Sequence, residues 1–174
     1  MGEPMRNYDN LARAIRVMND NDLMQVGARR ITVSTVGLPE EMLRLSKEFP
    51  QVGLALSLHA ADDNLRRKLM PVAKKISLDD LVAACRECHR LSGRRITLEY
   101  LVLPGINDRD EDVAALAELS GKFPCKINLI PYNPVEGLDF QKPGKRRMRA
   151  FQHRVFGAAN VPVSVRDSHG EDIA

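Results

Sequence analysis

The sequence predicts an α/β fold built on a parallel sheet. Five short segments rich in β-branched or aliphatic residues alternate with amphipathic helical stretches, the pattern of strands joined by helical crossovers. One of them, Val52–Leu58, carries no charge and has the length of a strand, so it is read as a strand covered on both faces. Glycine and proline mark the joins, as in Gly37, Pro71 and Pro104-Gly105. The pattern alone does not decide between an open sheet and a closed barrel.

The bulk numbers fit this reading. A chain of 174 residues is enough for one domain with a real core, and 44% hydrophobic with 28% charged residues is ordinary for a globular protein. No apolar run approaches membrane-span length, and the N-terminus has no signal-peptide pattern. Three cysteines, an odd number, fit a reducing cytoplasm better than a disulfide framework. The net charge of +3 permits a nucleic-acid partner without requiring one.

In chain order, Asn7 is expected to cap a first helix whose stripe is Leu11, Ala14, Ile15 and Met18. Arg30–Val36 is the first strand, with Thr32 and Ser34 on one face and Ile31, Val33 and Thr35 on the other. Pro39 opens a helix lined by Met42, Leu45 and Phe49, which leads into the Val52 strand. Asp62–Met70 reads as a short charged helix. Ser77 and Asp80 form a capping box for the next helix, with Leu78, Leu81, Val82, Cys85 and Leu91 as its stripe. Arg95–Leu103 is a strand. Asn107 or Asp108 is then expected to cap a helix that buries Val113, Leu116, Ala117 and Ser120. Cys125–Ile130 and Val161–Arg166 are the remaining strands, separated by a loop and a basic helix from Lys145 to about Gly157.

Several of these strands end in small polar groups. Ser57 and His59 lie two apart and project together where the second strand gives out. Ser34 and Thr35 end the first strand, and Asn128 and Asn133 belong to the fourth. In parallel α/β folds, ligands sit at the carboxyl ends of strands. Several such groups on one rim point to a polar, largely neutral ligand pocket, whereas a lone Ser-x-His is as often structural. Glu99, mid-strand in an apolar setting, needs a partner, and its plain reading is a brace across the sheet. Cys85, Cys88 and His89 have a metal-like spacing, but Cys85 lies on a helix stripe and no second pair exists, so the cysteines read as core. No serine–histidine–acid arrangement is apparent.

Gly2-Glu3-Pro4, Arg30–Thr35, Leu56-Ser57-Leu58-His59-Ala60 and Cys125–Pro134 recur in this order in one family, and Asn107-Asp108 and Gly170-Glu171-Asp172-Ile173 also match it. The chain resembles the radical S-adenosylmethionine (SAM) methyltransferases of the RlmN/Cfr type over essentially its whole length. The resemblance implies a partial (β/α) barrel, TIM-like, holding SAM and a [4Fe-4S] cluster at its strand ends. It implies that Gly2 and Glu3 contact the methionine amino group of SAM, and that Ser34, Ser57, Leu58, His59 and Asn133 hold its ribose, carboxylate or adenine. The implied substrate is an adenosine of 23S rRNA and, for RlmN-type members, of some tRNAs. Lys142, Lys145, Arg146, Arg147 and Arg149 of the basic helix are candidates to meet RNA phosphates, with a solvated helix face as the plain alternative.

The departures from the family pattern are as specific as the matches. The family's Cys-x3-Cys-x2-Cys cluster loop and its methyl-carrying cysteine, in Ala-Cys-Gly-Gln-Leu, do not occur here. The expectation is a fragment: one domain over residues 1–174, a barrel lacking its first two strands, with neither catalytic cysteine nor metal ligand of its own and inactive alone. Its open sheet edge would favour self-association or marginal stability. The alternatives are a Cfr-type adenine-C8 methyltransferase or a non-catalytic SAM- or RNA-binding remnant. A barrel lyase or isomerase is disfavoured, because no acid–base pair or lysine stands at a strand end.

Overall fold

The computed structural model describes residues 2–135 and 137–166. Its sheet has five parallel strands in sequential order: β1 (Thr32–Thr35), β2 (Gly53–Ser57), β3 (Ile96–Val102), β4 (Cys125–Pro131) and β5 (Val163–Val165). Sequential order settles what the pattern left open. A doubly wound sheet reverses its strand order at a switch point, whereas right-handed crossovers that always step the same way keep the helices on one face. The helices are α1 (Tyr8–Asn19), α2 (Pro39–Glu48), α3 (Asp63–Leu69), α4 (Leu78–Ser92), α5 (Asp110–Ser120) and α6 (Lys145–Ala158). This is the winding of a (β/α) barrel, here a five-strand arc of one.

The two faces of the arc differ as strand alternation requires. Val33, Leu54, Leu56, Leu98, Tyr100, Ile127 and Leu129 are buried, and one core joins them to Met42, Leu45, Leu81, Cys85, Leu116 and Phe151 from the helices. The opposite face carries Thr32, Ser34, Ser57, Thr97, Glu99, Lys126, Asn128 and Ser164, none of which is fully buried. The polar face is the inner, concave side of the arc.

Local expectations were met where cap and stripe agreed. Ser77 accepts from Asp80 N and Asp80 from Ser77 N, the reciprocal box that starts α4. Met148, Phe151 and Val155 are the buried stripe of α6. Elsewhere side chains found other partners. Asn7 stands at the α1 N-cap, but its amide oxygen accepts from the Asn10 side chain, so it caps nothing. The buried face of α1 is Tyr8, Ala12 and Ile15 with Leu11 and Met18 partly covered, and Ala14 is exposed. Tyr8 turns this face toward α2, where its hydroxyl donates to Glu48 and Arg44 stacks on its ring. In α4, Cys88 joins Cys85 in the core, while Leu91 is only partly covered. Asn107 and Asp108 do not cap α5, whose N-cap is Arg109. Both side chains turn back toward the strand ends, for reasons given below.

Gly37 makes the turn from β1 into α2 at φ 98°, a conformation that only glycine adopts without strain. A Cβ there would stand 2.5 Å from Leu81 Cδ2 and 2.9 Å from Leu56 Cδ1. Gly37→Ala is expected to destabilise the fold by about 2 kcal/mol or more. Urea unfolding followed by circular dichroism checks it.

Candidate functional site

Glu3 begins the site. Its two carboxylate oxygens accept from different backbone groups, Oε1 from Met5 N at 3.1 Å and Oε2 from Val36 N at 2.7 Å. The first bond caps the short 3-10 turn Pro4–Asn7, and the second ties the N-terminal segment to the end of β1. Each oxygen keeps a free lone pair. On the other side of Val36, Arg66 Nη2 donates to its carbonyl at 2.8 Å. Arg66 lies on α3, is 0% exposed, and has no hydrogen-bond partner for Nε among the described residues. Desolvation lowers its pKa, and Asp63 opposes that. The sequence reads Asp62–Met70 as a short charged helix. A seven-residue segment with charges all round gave no sign of which arginine turned inward.

Gly2, Glu3, Ser34 and Ser57 line one groove of about 580 Å³, together with Thr35 and Val36. Its remaining walls are Leu11, Ile15 and Met18 of α1 and Ile31–Val33. Consecutive residues of both faces of β1 border it, so it runs along the open edge of that strand. Thr35, grouped with Ser34 in the sequence, points the other way: it is buried and its hydroxyl accepts from Gly37 N. His59 and Asn133 do not line this groove. Asn133 is exposed in the loop after β4.

The turn after Ser57 is held at every residue. Leu58 N and His59 N donate to the Glu99 carbonyl at 2.9 and 3.3 Å. The Leu58 side chain is 0% exposed in the core, so only its backbone is available to a ligand. His59 has φ 58°, unusual for a residue with a side chain and a conformation that its surroundings must impose. Leu101 N donates to His59 Nδ1 at 3.1 Å, which leaves the ring proton on Nε2. Burial, with a smaller contribution from Arg66, pushes the His59 pKa down to about 4. The imidazole is therefore a neutral donor near pH 7, where it can orient a ligand but not neutralise one.

Asn107 imposes this geometry. Its Nδ2 donates to His59 O at 2.8 Å and to Leu101 O at 2.6 Å, and its Oδ1 accepts from Leu103 N at 2.7 Å. Its own carbonyl accepts from Tyr100 OH at 2.7 Å. A 0%-exposed amide that satisfies three strand-end backbone groups has no group left for a helix cap. Asp108 continues the chain of contacts outward: its Oδ1 accepts from Gly105 N and Arg147 Nη2, and Oδ2 from Arg147 Nε. Burial works against the Asp108 charge, but Arg147, the Gly105 N–H and Arg154 outweigh it and hold its pKa below the usual carboxylate range. Arg147 is thus engaged in joining α6 to the α5 entry. Lys145, Arg146 and Arg149 of the same helix are exposed, as is Lys142 in the loop before it.

The cysteines are core residues. Cys85, Cys88 and Cys125 are all buried and free, and burial raises all three pKa values, Cys125 to about 11. Thiols held protonated in this way do not make cluster ligands. Among the described residues no three His, Cys, Asp or Glu side chains gather as a metal site. The match at Gly170–Ile173 lies outside the described residues.

A one-way-wound β/α arc with neutral donors and one carboxylate at its carboxyl rim defines a class: barrel-derived proteins that bind a polar ligand at the strand ends. Comparison with known proteins names the family. The model of the radical SAM superfamily matches residues 1–117. The chain belongs to that superfamily. It is 46% identical over 174 residues to the dual-specificity RNA methyltransferase RlmN of Desulfotalea psychrophila and 45% identical to the RlmN of Rhodospirillum rubrum. It covers 48% and 40% of those proteins, so the chain spans about half the length of the curated relatives it matches, or less. A radical SAM methyltransferase from Sphaerobacter thermophilus superimposes with a TM-score of 0.94 at 42% identity, over 99% of this chain and 50% of that one. A partial radical-SAM barrel is therefore the fold.

His59 makes the site acid-sensitive. Its folded-state pKa lies below the ordinary histidine value, so the unfolded chain binds a proton that the folded chain refuses between pH 6.5 and about 4. Stability is full above that window and is lost on acidification through it, by up to about 3 kcal/mol. Urea midpoints from pH 7 to 4 should fall, and should fall less in His59→Gln, which has no such proton to take up.

Proposed function

We propose that this chain is the SAM-binding portion of an RlmN-type RNA methyltransferase, which transfers a methyl group to C2 of an adenine in 23S rRNA and in some tRNAs. The observation that carries this reading is the coincidence of Gly2, Glu3, Ser34 and Ser57 in one groove that follows the edge of β1 to its carboxyl end, in a chain whose whole length resembles enzymes of that name. A zwitterionic nucleoside suits such a rim, with a carboxylate for its ammonium and neutral donors and acceptors for the rest. Gly2 offers backbone and Glu3 its free lone pairs. Ser34 and Ser57 offer hydroxyls, the Leu58–His59 turn offers backbone and an Nε2 donor, and Asn133 offers an amide from the neighbouring loop.

The donor set of this chain fits SAM and does not fit a cluster, since its three thiols are buried. In radical SAM chemistry the cluster and SAM together supply the radical and the methyl group, and in this reading the cluster's cysteines and the methyl-carrying cysteine belong to other parts of a longer enzyme. What this chain contributes is binding and orientation of SAM. Three free thiols suit the reducing cytoplasm where RNA is modified, and no described helix is long and apolar enough to cross a membrane. The relatives named above favour the C2 over the Cfr-type C8 reaction.

Ser57→Ala combined with Asn133→Ala is expected to abolish SAM binding in isothermal titration. Unchanged affinity would remove both residues from the site and the reading with them.

For RNA, the exposed cations of α6 are the contacts and Arg147 is not. Arg146→Glu with Arg149→Glu should weaken RNA binding and reduce the salt slope by roughly 2, at unchanged melting temperature. Arg147→Met should do the reverse, leaving Asp108 buried without its cation at a cost of about 1–3 kcal/mol. RNA affinity indifferent to the double charge reversal would make this helix a solvated face.

A further inference from the structure

Glu99 has no role in the site as described so far. It stands in the middle of β3, and the strand register sets it beside Ser57 of β2 on one side and Asn128 of β4 on the other, with Ser164 of β5 following Asn128. In-register residues of parallel strands point to the same face and stand about 4.8 Å apart. Ser57, Glu99, Asn128 and Ser164 therefore form one polar row across the concave face. Ser57 at its end lines the groove.

The row has an internal logic. Asn128 Nδ2 donates to both Glu99 oxygens, at 3.0 and 3.3 Å. Ser164 Oγ donates to Asn128 Oδ1 at 3.2 Å, which fixes the amide with its nitrogen toward the carboxylate. Asn128 is the one side chain that bonds this carboxylate among the described residues, and no lysine or arginine pairs with it there. A carboxylate has about four acceptor positions, and this one uses two. As a brace against Asn128, a neutral glutamine would serve equally well without the cost of a half-buried charge. The Glu99 carbonyl meanwhile accepts the N–H groups of Leu58 and His59, so backbone and side chain both address the Ser57–His59 turn.

We infer that Glu99 is a ligand-binding residue: its carboxylate accepts the two ribose hydroxyls of the nucleoside that the rim holds. A vicinal diol is a pair of donors that matches a carboxylate's pair of oxygens, and acidic side chains recognise ribose this way in dinucleotide-binding folds. Asn128 holds the carboxylate in place, and Ser57, one strand away, flanks the same sugar. Bonds from neutral donors to a charged acceptor in a half-buried position are the stronger kind.

The inference rests on the SAM reading of the site, and the experiment separates the two. The unaltered chain, Glu99→Gln and Glu99→Asp are titrated with SAM, S-adenosylhomocysteine and the 2′-deoxy and 3′-deoxy forms of S-adenosylhomocysteine, with melting temperatures recorded alongside. Glu99→Gln keeps the shape and an oxygen for Asn128, and is expected to weaken SAM and S-adenosylhomocysteine by about tenfold or more. It should weaken each deoxy form by a clearly smaller factor, since each has lost one of the two donors that Glu99 accepts. Equal losses for all four ligands, or no loss, would return Glu99 to a purely structural role. If Glu99→Gln melts early, Glu99→Asp carries the same comparison. An unaltered chain that binds none of them would overturn the SAM site and this inference together; one that binds SAM but shows no coupling overturns only the assignment of Glu99.

Discussion

The rim of this arc depends on the side-chain amide of Asn107. Three backbone groups at the ends of β2 and β3 have no ladder partner between these two strands and are buried or partly buried, so each favours a hydrogen bond from the protein. One amide supplies all three: Oδ1 to Leu103 N, and Nδ2 to both His59 O and Leu101 O. Without it, His59 would have no reason to remain at positive φ, and its ring would lose the alignment that lets Leu101 N reach Nδ1. The turn that presents Ser57 and His59 is therefore held by a residue whose own side chain is wholly covered. Asp108 extends this to the outer layer through Arg147, so the entry to α5 and the start of α6 are fastened to the same point.

A second constraint is the division of the sheet into two faces. The convex face is covered by helices and must be apolar. The concave face of a five-strand arc is too open to be a dry core, and its side chains are small or polar: Gly53 and Ala55 beside Ser57 on β2, and Thr97 with Glu99 on β3. Small residues on β2 leave room at the centre of the arc, and the polar row crosses at the level where β2 ends. Fold and site thus come from one alternation, read outward for packing and inward for binding.

The fold class was legible because its signals are local. Apolar runs, proline and glycine joins and the Ser77 box each declare themselves within a few residues. The strand-end groups were legible only in part: alternation reads Ser34 and Ser57, which line the groove, but not Thr35, which is buried, or His59, which lies beyond the end of β2 at positive φ. What stayed hidden were partners set by long-range geometry. Asn107 next to Asp108 looks like a helix cap, and only the approach of β2 to β3 makes backbone at the strand ends the better partner. Arg147 sits among six basic residues and differs from Arg146 only in facing Asp108, thirty-nine positions away. Arg66 is one of three consecutive cations, and the turn at Val36 decides which goes inside. The loop after β4 carries a motif match, Asn133, that the geometry does not gather into the groove.

The carboxylates fall into two sets. Asp108, Asp112 and Glu48 each meet an arginine: Glu48 and Asp108 join one helix or turn to another, and Asp112 closes the first turn of its own helix. Among the described residues, Glu3, beside the end of β1, and Glu99, mid-strand on the concave face, are held by neutral N–H donors alone. Hydrogen bonds of that kind fix a carboxylate's position and leave acceptor positions free. Among the described residues the one buried cation, Arg66, is turned toward the carbonyls of Val36 and Ile76 and away from both carboxylates. A ligand that brings an ammonium, a sulfonium and hydroxyl donors fits such a rim; an anionic one would meet two fixed carboxylates and few free donors. Under the proposed function, the charge pattern of the scaffold suits the same ligand class, and it does so from hydrogen bonds within this chain.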